Sequence, residues 1–219
     1  MYLTRMELDT QNRQTMRALA SPSVLHGLVE TSFAGERSRN LWRLDTLHGK
    51  TYLLLLSPQR PDMLNAYSQI GARDSDQPWQ TKDYDPYIAR IQSGEVLRFR
   101  LTANPTYSHH EPSEKPGNRP RGQVCAHITP DHQKAWLAQR SDSLGFAVDE
   151  NRFDVTESRW LSFRKGKDKG RRVEILSVTF EGELTVTDAE LFRQTLTNGI
   201  GRGKAYGMGL MTVIRRQNG

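Results

Sequence analysis

The fold is decided by the stretch LWRLDTLHGKTYLLLLS, residues 41–57. It holds two strand-like apolar runs, 41–45 and 51–57, that are joined through His48 and Gly49. Two such runs around a short glycine-containing connection are typical of a β-hairpin. The stretch therefore predicts two antiparallel strands in the first half of the chain.

The elements around this hairpin predict a ferredoxin-like arrangement. A helix is predicted from Ser21-Pro22, because serine suits the N-cap and proline the first helical position. Alternating apolar and polar side chains predict a strand over residues 2–8. The remaining predictions are a second helix near 61–70, polar turns over 71–85 and a short strand over Tyr87–Gln92. The resulting order, β-α-β-β-α-β, is that of the ferredoxin-like fold.

The second half of the chain repeats this order with an additional hairpin. The predicted elements are strands over 95–104 and 123–128, a helix from Thr129 towards Arg140, a long hairpin of 152–164 with 171–186, a helix from Thr187-Asp188 to Asn198 and a strand over 208–215. Residues 105–122 hold four prolines and two glycines, which predicts a loop. We therefore predict an α+β protein of two tandem ferredoxin-like (RRM-like) domains, residues 1–93 and 94–219, the second carrying an extra basic β-hairpin.

Composition excludes several classes of protein. With 219 residues, the chain can bury a core without disulfides or structural metals. Cys125 is the single cysteine, which excludes an intramolecular disulfide framework and a cysteine-rich zinc site. The longest apolar run, Tyr52–Leu56, is far shorter than the ~20 residues of a membrane span. The first residues show no signal sequence, so we expect a cytoplasmic protein without a membrane partner.

Positive charge is concentrated in the second half of the chain. The whole chain has 31 basic and 25 acidic residues, a net charge of +6, and residues 159–172 alone carry seven basic residues against one aspartate. Two shorter basic runs are Lys115, Arg119 and Arg121, and Arg202, Lys204, Arg215 and Arg216. A solvated face would explain any one such run, but three runs in one half favour a polyanionic partner. Trp160 and Phe163 interleave with these cations, which suits RNA unless both rings belong to one buried strand face. The candidate RNA-binding residues are Arg119, Arg121, Arg159, Lys165, Lys167, Lys169, Arg171, Arg172, Arg202 and Lys204.

A glycine-rich loop precedes the last strand. Residues 199–209 hold five glycines in eleven positions, together with Arg202 and Lys204. Successive backbone N–H groups of such a loop can bind phosphate. A dinucleotide-binding motif is excluded by context, because that motif follows a strand and opens a helix. A helix cap with a tight turn explains Gly199 but not the other glycines.

These features together resemble a known family. The ending GIGRGKAYGMGLMTV resembles the glycine-rich signature of the repeat-associated RNA-binding proteins of CRISPR systems. The segments MYLTRMELD, LASPSVLHGLV with His26, LRFRLTANPT, QKAWLAQR and FEGELTV are similar to the CasE endoribonuclease family of type I-E systems. The resemblance spans the chain. It implies two ferredoxin-like domains, binding of the CRISPR repeat RNA hairpin, metal-independent cleavage on its 3′ side, and retention of the product RNA within the surveillance complex beside its other subunits.

A metal site receives little support from the sequence. The six histidines are His26, His48, His109, His110, His127 and His132, and none forms a helical HxxxH pair. The acidic residues contain no clustered pair that would require two metals. We therefore expect no metal and no other cofactor.

RNA can be cut without a metal because it supplies its own nucleophile. The 2′-OH attacks the adjacent phosphate and leaves a 2′,3′-cyclic phosphate and a 5′-OH. An imidazole, with an unperturbed pKa of ~6.5, suits the proton transfers. His26 lies at the edge of the apolar stripe of its helix, where a structural role is the alternative and the resemblance implies a catalytic one. Lys204 is the candidate for stabilising charge on phosphorus, with a plain phosphate contact as the alternative.

Two departures from the family keep a second function open. A tyrosine often stands three residues before the catalytic histidine of relatives, and here that residue is Ser23. Relatives can also carry a basic residue directly after the histidine, and here it is Gly27. Serine is a poor group for proton transfer, so the alternative is a catalytically weak or inactive RNA-binding assembly subunit of the same complex. A metal-dependent nuclease is a third hypothesis, which inhibition by EDTA would favour.

Overall fold

The computed structural model describes residues 1–35, 38–75, 77–109, 123–164 and 170–216. No helix within these ranges combines the length and the apolar character that a membrane crossing requires. Five of the candidate RNA-binding residues lie outside the described residues, namely Arg119, Arg121, Lys165, Lys167 and Lys169.

The first half forms a four-stranded antiparallel sheet with helices. Its strands are β1 (Tyr2–Leu8), β2 (Leu41–Leu47), β3 (Lys50–Ser57) and β4 (Gln80–Asp83), and its helices are α1 (Arg13–Leu19), α2 (Pro22–Glu30), α3 (Leu64–Ile70) and α4 (Asp85–Ile88). The sheet order is β2-β3-β1-β4, which is ferredoxin-like. Thr4, Met6 and Leu8 of β1 are buried, and apolar side chains of α1 to α3 pack over this face.

The predicted hairpin is confirmed, and its turn explains its register. Leu47 pairs with Lys50, so the connection between β2 and β3 is only two residues long. His48 has φ 50° and Gly49 has φ 76°. Two positive φ values give the tight turn whose twist matches that of the flanking strands.

Two predictions for the first half were wrong or incomplete. Tyr87–Gln92 is not a strand, because the chain turns helical at Asp85–Ile88, and the fourth strand is Gln80–Asp83, inside the predicted turn region. Tyr84 and Ile88 lie one helical turn apart and are both buried, so a helix at this point places both side chains in one apolar cluster. Helix α1 was not predicted, because only Thr15 and Ala18 of it are buried.

The second half forms a second antiparallel sheet. Its strands are β5 (Val96–Ala103), β6 (Thr106–His109), β7 (Gln123–Ala126), β8 (Phe146–Ala147), β9 (Phe153–Arg164), β10 (Arg172–Val186) and β11 (Met211–Arg215), and its helices are α5 (Pro130–Ser141) and α6 (Ala189–Asn198). The main order is β11-β5-β10-β8, with β9 also on β10, while β6 and β7 pair separately. The α+β fold of two ferredoxin-like units is therefore confirmed, whereas the boundary between residues 1–93 and 94–219 stays a prediction. Part of the predicted loop 105–122 is strand β6, and residues 110–122 lie outside the described residues.

The extra hairpin projects beyond the second sheet. Residues 178–185 of β10 pair with β5, whereas residues 172–177 pair only with β9. Trp160 and Phe163 do not share one face, since Trp160 is 55% exposed and Phe163 is 6% exposed. Residues three apart on a strand point to opposite sides, which explains the difference. The turn residues 165–169 are outside the described part of the chain.

A buried arginine joins the two sheets. Arg43 of β2 is 2% exposed, and its Nε and Nη2 donate to the two carboxylate oxygens of Asp45, each at 2.8 Å. Its guanidinium also donates to the carbonyl oxygens of Arg100 and Leu210 and to Thr212 Oγ1 at 2.8 to 2.9 Å. Because Arg100, Leu210 and Thr212 belong to the second half, Arg43 fixes one sheet against the other.

Candidate active site in the central cleft

A cleft lies where helix α2, the second sheet and the glycine-rich loop meet, and we call it the central cleft. Its floor includes Trp42 and Arg43 of β2. Helix α2 packs against the 3₁₀ turn Lys204–Tyr206 of the loop and against β9. The other lining residues are Leu19, Pro22, Leu25, Leu44, Thr102, Glu157, Arg159, Leu161, Ser177, Thr179, Tyr206 and Gly207. The cleft therefore collects side chains from both halves of the molecule.

His26 stands at the edge of α2, as its position in the sequence predicted. The side chain is 39% exposed, whereas Leu25, Leu28 and Val29 of the same helix are buried. Its Nδ1 lies 4.0 Å from Glu30 Oε1, one turn further along the helix. A carboxylate next to one ring nitrogen can orient the imidazole and leave the other nitrogen for proton transfer.

Ser23 is engaged with the outer end of the projecting hairpin. Its Oγ lies 3.0 Å from Ser21 Oγ and donates to the carbonyl oxygen of Arg164 at 3.4 Å. Ser21 begins α2 without a side-chain cap bond to the backbone. These contacts join α2 to β9 and engage the Ser23 hydroxyl.

Lys204 is anchored within the glycine-rich loop. Its Nζ donates to the carbonyl oxygen of Asn198 at 2.8 Å. Burial lowers the pKa of Lys204, because it disfavours the charged ammonium, and the nearby Arg39 lowers it further by repulsion. An ammonium held in this way can stabilise negative charge that develops on a phosphate in the cleft.

The glycines let the loop lie directly against its neighbours. Gly207 has φ +81°, and a Cβ there would come within 2.6 Å of the Trp42 ring. Gly209 has φ +89°, and a Cβ there would lie 2.8 Å from the Ile200 carbonyl oxygen. The loop runs from α6 into β11, so it follows a helix and precedes a strand, as predicted.

Tyr206 is a cleft residue that the sequence reasoning missed. Its ring lies edge-on to Phe163, with the ring centroids 4.8 Å apart. Phe163 precedes Arg164, the residue whose carbonyl accepts from Ser23. Tyr206 therefore places an aromatic ring near the start of α2. The only signal was an aromatic residue between two glycines of the loop.

The described cations that were predicted to bind RNA lie in different parts of the structure. Arg159 lines the central cleft and forms an ion pair with Glu157 at 3.2 Å. Arg172 lies at the outer end of the hairpin, pairs with Glu174 at 2.9 Å and follows the exposed Arg171. Arg202 lies on the loop but lines another cavity, beside α5. Of the predicted site residues, only Arg159 lines the central cleft; His26 and Lys204 lie on the helix and the turn that border it but are not among its lining residues.

Metal-binding side chains do not converge at this cleft or elsewhere in the described ranges. No group of three or more histidine, cysteine, aspartate or glutamate residues there has a spacing that could hold a metal ion. The chemistry that the described side chains themselves offer is proton transfer by an imidazole and charge stabilisation by cations.

Comparison with known proteins gives matches along most of the chain. A family model described as CRISPR associated protein matches residues 1–215. The CRISPR-associated endoribonuclease Cse3 of Thermus thermophilus is 30% identical over 229 aligned positions, which cover 97% of this chain and 99% of that protein. The Cascade subunit CasE of Escherichia coli is 32% identical over 127 positions, 57% of this chain and 60% of that protein. Thermus thermophilus Cse3 bound to an RNA representing a pre-cleavage complex has a TM-score of 0.77 at 27% identity, with 97% of this chain and 98% of that chain covered.

Proposed function

The chain belongs to the CRISPR-associated protein family that includes Cse3 and CasE, and from this membership we propose that it is an endoribonuclease which binds the CRISPR repeat RNA hairpin and cuts the precursor transcript. The observation that carries the proposal is the packing of the His26 helix against the Lys204 turn in one cleft. The packing supports the proposal because it puts a histidine and a lysine on two neighbouring elements, and an acid–base group and a cation are what cleavage of RNA by its own 2′-OH requires.

The proposed reaction needs no metal ion. The 2′-oxygen of the ribose on the 5′ side of the cut loses its proton and bonds to phosphorus, while the bond from phosphorus to the 5′-oxygen of the next nucleotide breaks. The leaving oxygen takes up a proton. The products are a 2′,3′-cyclic phosphate and a 5′-OH. His26 serves the proton transfers, and Lys204 stabilises the additional negative charge on the phosphate oxygens.

The partners and location follow from the same membership. The relative from Escherichia coli is a Cascade subunit, and on that basis the protein keeps its processed RNA and joins the other subunits of a type I-E surveillance complex. Cys125 is a free cysteine, which agrees with a reducing cytoplasm.

The other candidate function is an RNA-binding assembly subunit without effective chemistry. Ser23 favours it, since its hydroxyl is engaged with Ser21 and Arg164.

Cleavage in chelator tests the proposal. Incubated with repeat-hairpin RNA in excess EDTA, the protein is expected to cut at one position and to leave a cyclic phosphate, because the nucleophile belongs to the RNA. A deoxyribose at the nucleotide 5′ to the cut should abolish cleavage without weakening binding. Gel analysis with mass spectrometry of the ends gives both results. Binding without cleavage would identify the assembly subunit, and cleavage lost in EDTA but restored by Mg²⁺ would identify a metal-dependent nuclease.

The basic hairpin is expected to carry much of the electrostatic affinity for RNA. Neutralising Lys165, Lys167, Arg171 and Arg172 to glutamine should weaken binding and flatten its dependence on salt, because each lost phosphate contact removes released counterions. The magnitude of the slope of log K against log salt should fall by at most about 3.6, at about 0.9 or less for each of the four side chains. Binding titrations between low and moderate salt measure this slope.

A matched variant controls for the change in net charge. Four exposed cations lie outside the basic runs, and replacing them by glutamine removes the same charge: Arg13, Arg60, Arg73 and Lys82. We expect this variant to keep nearly the whole slope. Equal slopes for the two variants would show that the hairpin does not contact the phosphates.

A further inference from the structure

A second cavity lies across the glycine-rich loop from the central cleft, and we call it the Trp136 cavity. Its walls include Tyr107 of β6, Trp136 and Arg140 of α5, and Gly201 and Arg202 of the loop. Among the described residues, the two cavities share no lining side chain. The loop borders both, however, because Tyr206 and Gly207 line the cleft. A strand that crosses the loop from the cleft would reach the Trp136 cavity.

The cavity presents aromatic surface, and one of its lining residues carries a buried hydrogen-bond donor without a partner. The Tyr107 side chain is 45% exposed, and its ring centroid lies 4.9 Å from that of His127. Trp136 is 2% exposed, and its buried Nε1 has no hydrogen-bond partner among the described residues. A Cβ on Gly201 would lie 3.2 Å from the edge of the Trp136 ring, so only glycine allows the loop to press against it. A buried donor without a partner is costly unless a ligand or water satisfies it.

The charge of the cavity suits a phosphate. The Arg140 guanidinium stands 4.7 Å from the Trp136 ring centroid and donates to the Trp136 carbonyl oxygen at 3.1 Å. Arg202 is exposed, and its backbone is bridged to Asn104 at the end of β5. No carboxylate belongs to the described lining. Two arginines without a carboxylate attract an anion.

The size of the cavity suits one nucleotide. Its volume is about 230 Å³, a little below the ~300–1,000 Å³ of pockets for drug-sized ligands. Aromatic rings beside cations are the means by which proteins hold unpaired bases and their phosphates. A peptide would need paired backbone partners or a deeper apolar groove, and the lining offers arginines and hydroxyls instead.

We propose that the Trp136 cavity binds one unpaired nucleotide of the RNA strand that leaves the central cleft, with its base on Tyr107 and its phosphate at Arg140 and Arg202. This inference rests on the proposed function, since it assigns a second contact to the same RNA. The repeat RNA is thus held on both sides of the glycine-rich loop.

Binding of three uncleavable RNAs tests the proposal. Each has a deoxyribose 5′ to the cut, and they consist of the stem alone, the stem with four unpaired nucleotides on its 5′ side, and the stem with four on its 3′ side. Tyr107→Ala is expected to weaken binding of one tailed RNA by about 5- to 150-fold, the range of stacking losses on alanine substitution. It should leave binding of the stem alone unchanged. Tyr107→Phe keeps the ring and should stay within about twofold of the wild type.

A fluorescent base reports stacking directly. With 2-aminopurine at successive unpaired positions, fluorescence should be quenched at one position by the wild type and by Tyr107→Phe, but not by Tyr107→Ala. Equal affinity of wild type and Tyr107→Ala for both tailed RNAs would overturn the inference, as would an equal loss for the stem alone. A wild-type protein that bound none of the three RNAs would overturn the proposed function as well, so the two failures are distinguishable. Thermal unfolding of each variant verifies that the exposed Tyr107 position tolerates the change.

Discussion

Replacement of His26 by alanine is expected to slow RNA cleavage by about 10²–10⁴-fold, the range for loss of a general acid or base, while RNA affinity stays within a few-fold of the wild type. The side chain is 39% exposed at the edge of α2, so its removal opens no hole in the core. Single-turnover cleavage with excess protein measures the chemical step, and filter binding with uncleavable RNA measures affinity.

A second histidine serves as the control for this variant. His48 occupies the turn of the β2–β3 hairpin with φ 50°, and His48→Asn keeps a residue that tolerates this conformation. We expect His48→Asn to cleave at the wild-type rate. A His26→Ala protein that still cut within about threefold of the wild type would remove His26 from the chemistry, and the search for the proton-transfer group would then turn to Lys204 and Tyr206.

Loss of the Arg43 side chain is expected to cost the largest share of stability. Arg43→Met removes the bidentate partner of Asp45, whose side chain is 14% exposed and keeps only Arg100, with its Nε 3.6 Å away. It also takes the donors away from three acceptors of the second half. Breaking a buried ion pair by removing one partner costs about 3–5 kcal/mol. Arg43→Lys keeps the positive charge but lacks the planar guanidinium that bonds both oxygens of Asp45. We therefore expect a smaller but clear loss in the free energy of unfolding. Urea unfolding monitored by circular dichroism gives these free energies.

Two further variants complete this test. Glu174→Gln breaks an ion pair whose partners are 58% and 68% exposed, and exposed pairs contribute about 1 kcal/mol or less. The double variant Arg43→Met with Asp45→Asn should lose less than the sum of the single changes, because the carboxylate is no longer left without its partner. A loss below about 1 kcal/mol for Arg43→Met would contradict the role of this side chain as the link between the sheets.

Much of the fold was predictable because its elements have strong local signals. The hairpin over 41–57 has two apolar runs around a turn that demands positive φ, and β1 alternates cleanly. The prediction failed where tertiary packing decides the element. We predicted a strand that begins at Tyr87. The structure has a short helix here instead, which begins at Asp85-Pro86 and buries Ile88 beside Tyr84 in one apolar cluster. Propensity and pattern are weak guides for a segment of only four residues.

The site was predictable in its parts but not in its assembly. Ser21-Pro22 placed His26 on a helix, and five glycines placed Lys204 in a loop. Nothing in the sequence showed that this helix and this loop pack together, since their contact depends on how the two sheets dock. Tyr206 was missed for the same reason, because its contact with Phe163 arises only in the folded chain.

His26 and Lys204, the two residues of the proposed chemistry, are encoded about 180 residues apart. During synthesis on a ribosome, the first half emerges long before the loop that completes the cleft. A nascent or prematurely terminated chain that stops before the loop carries the imidazole without its cation, and Arg43 without the acceptors of Leu210 and Thr212. Such a chain holds only one of the two groups that the proposed reaction assigns to the protein.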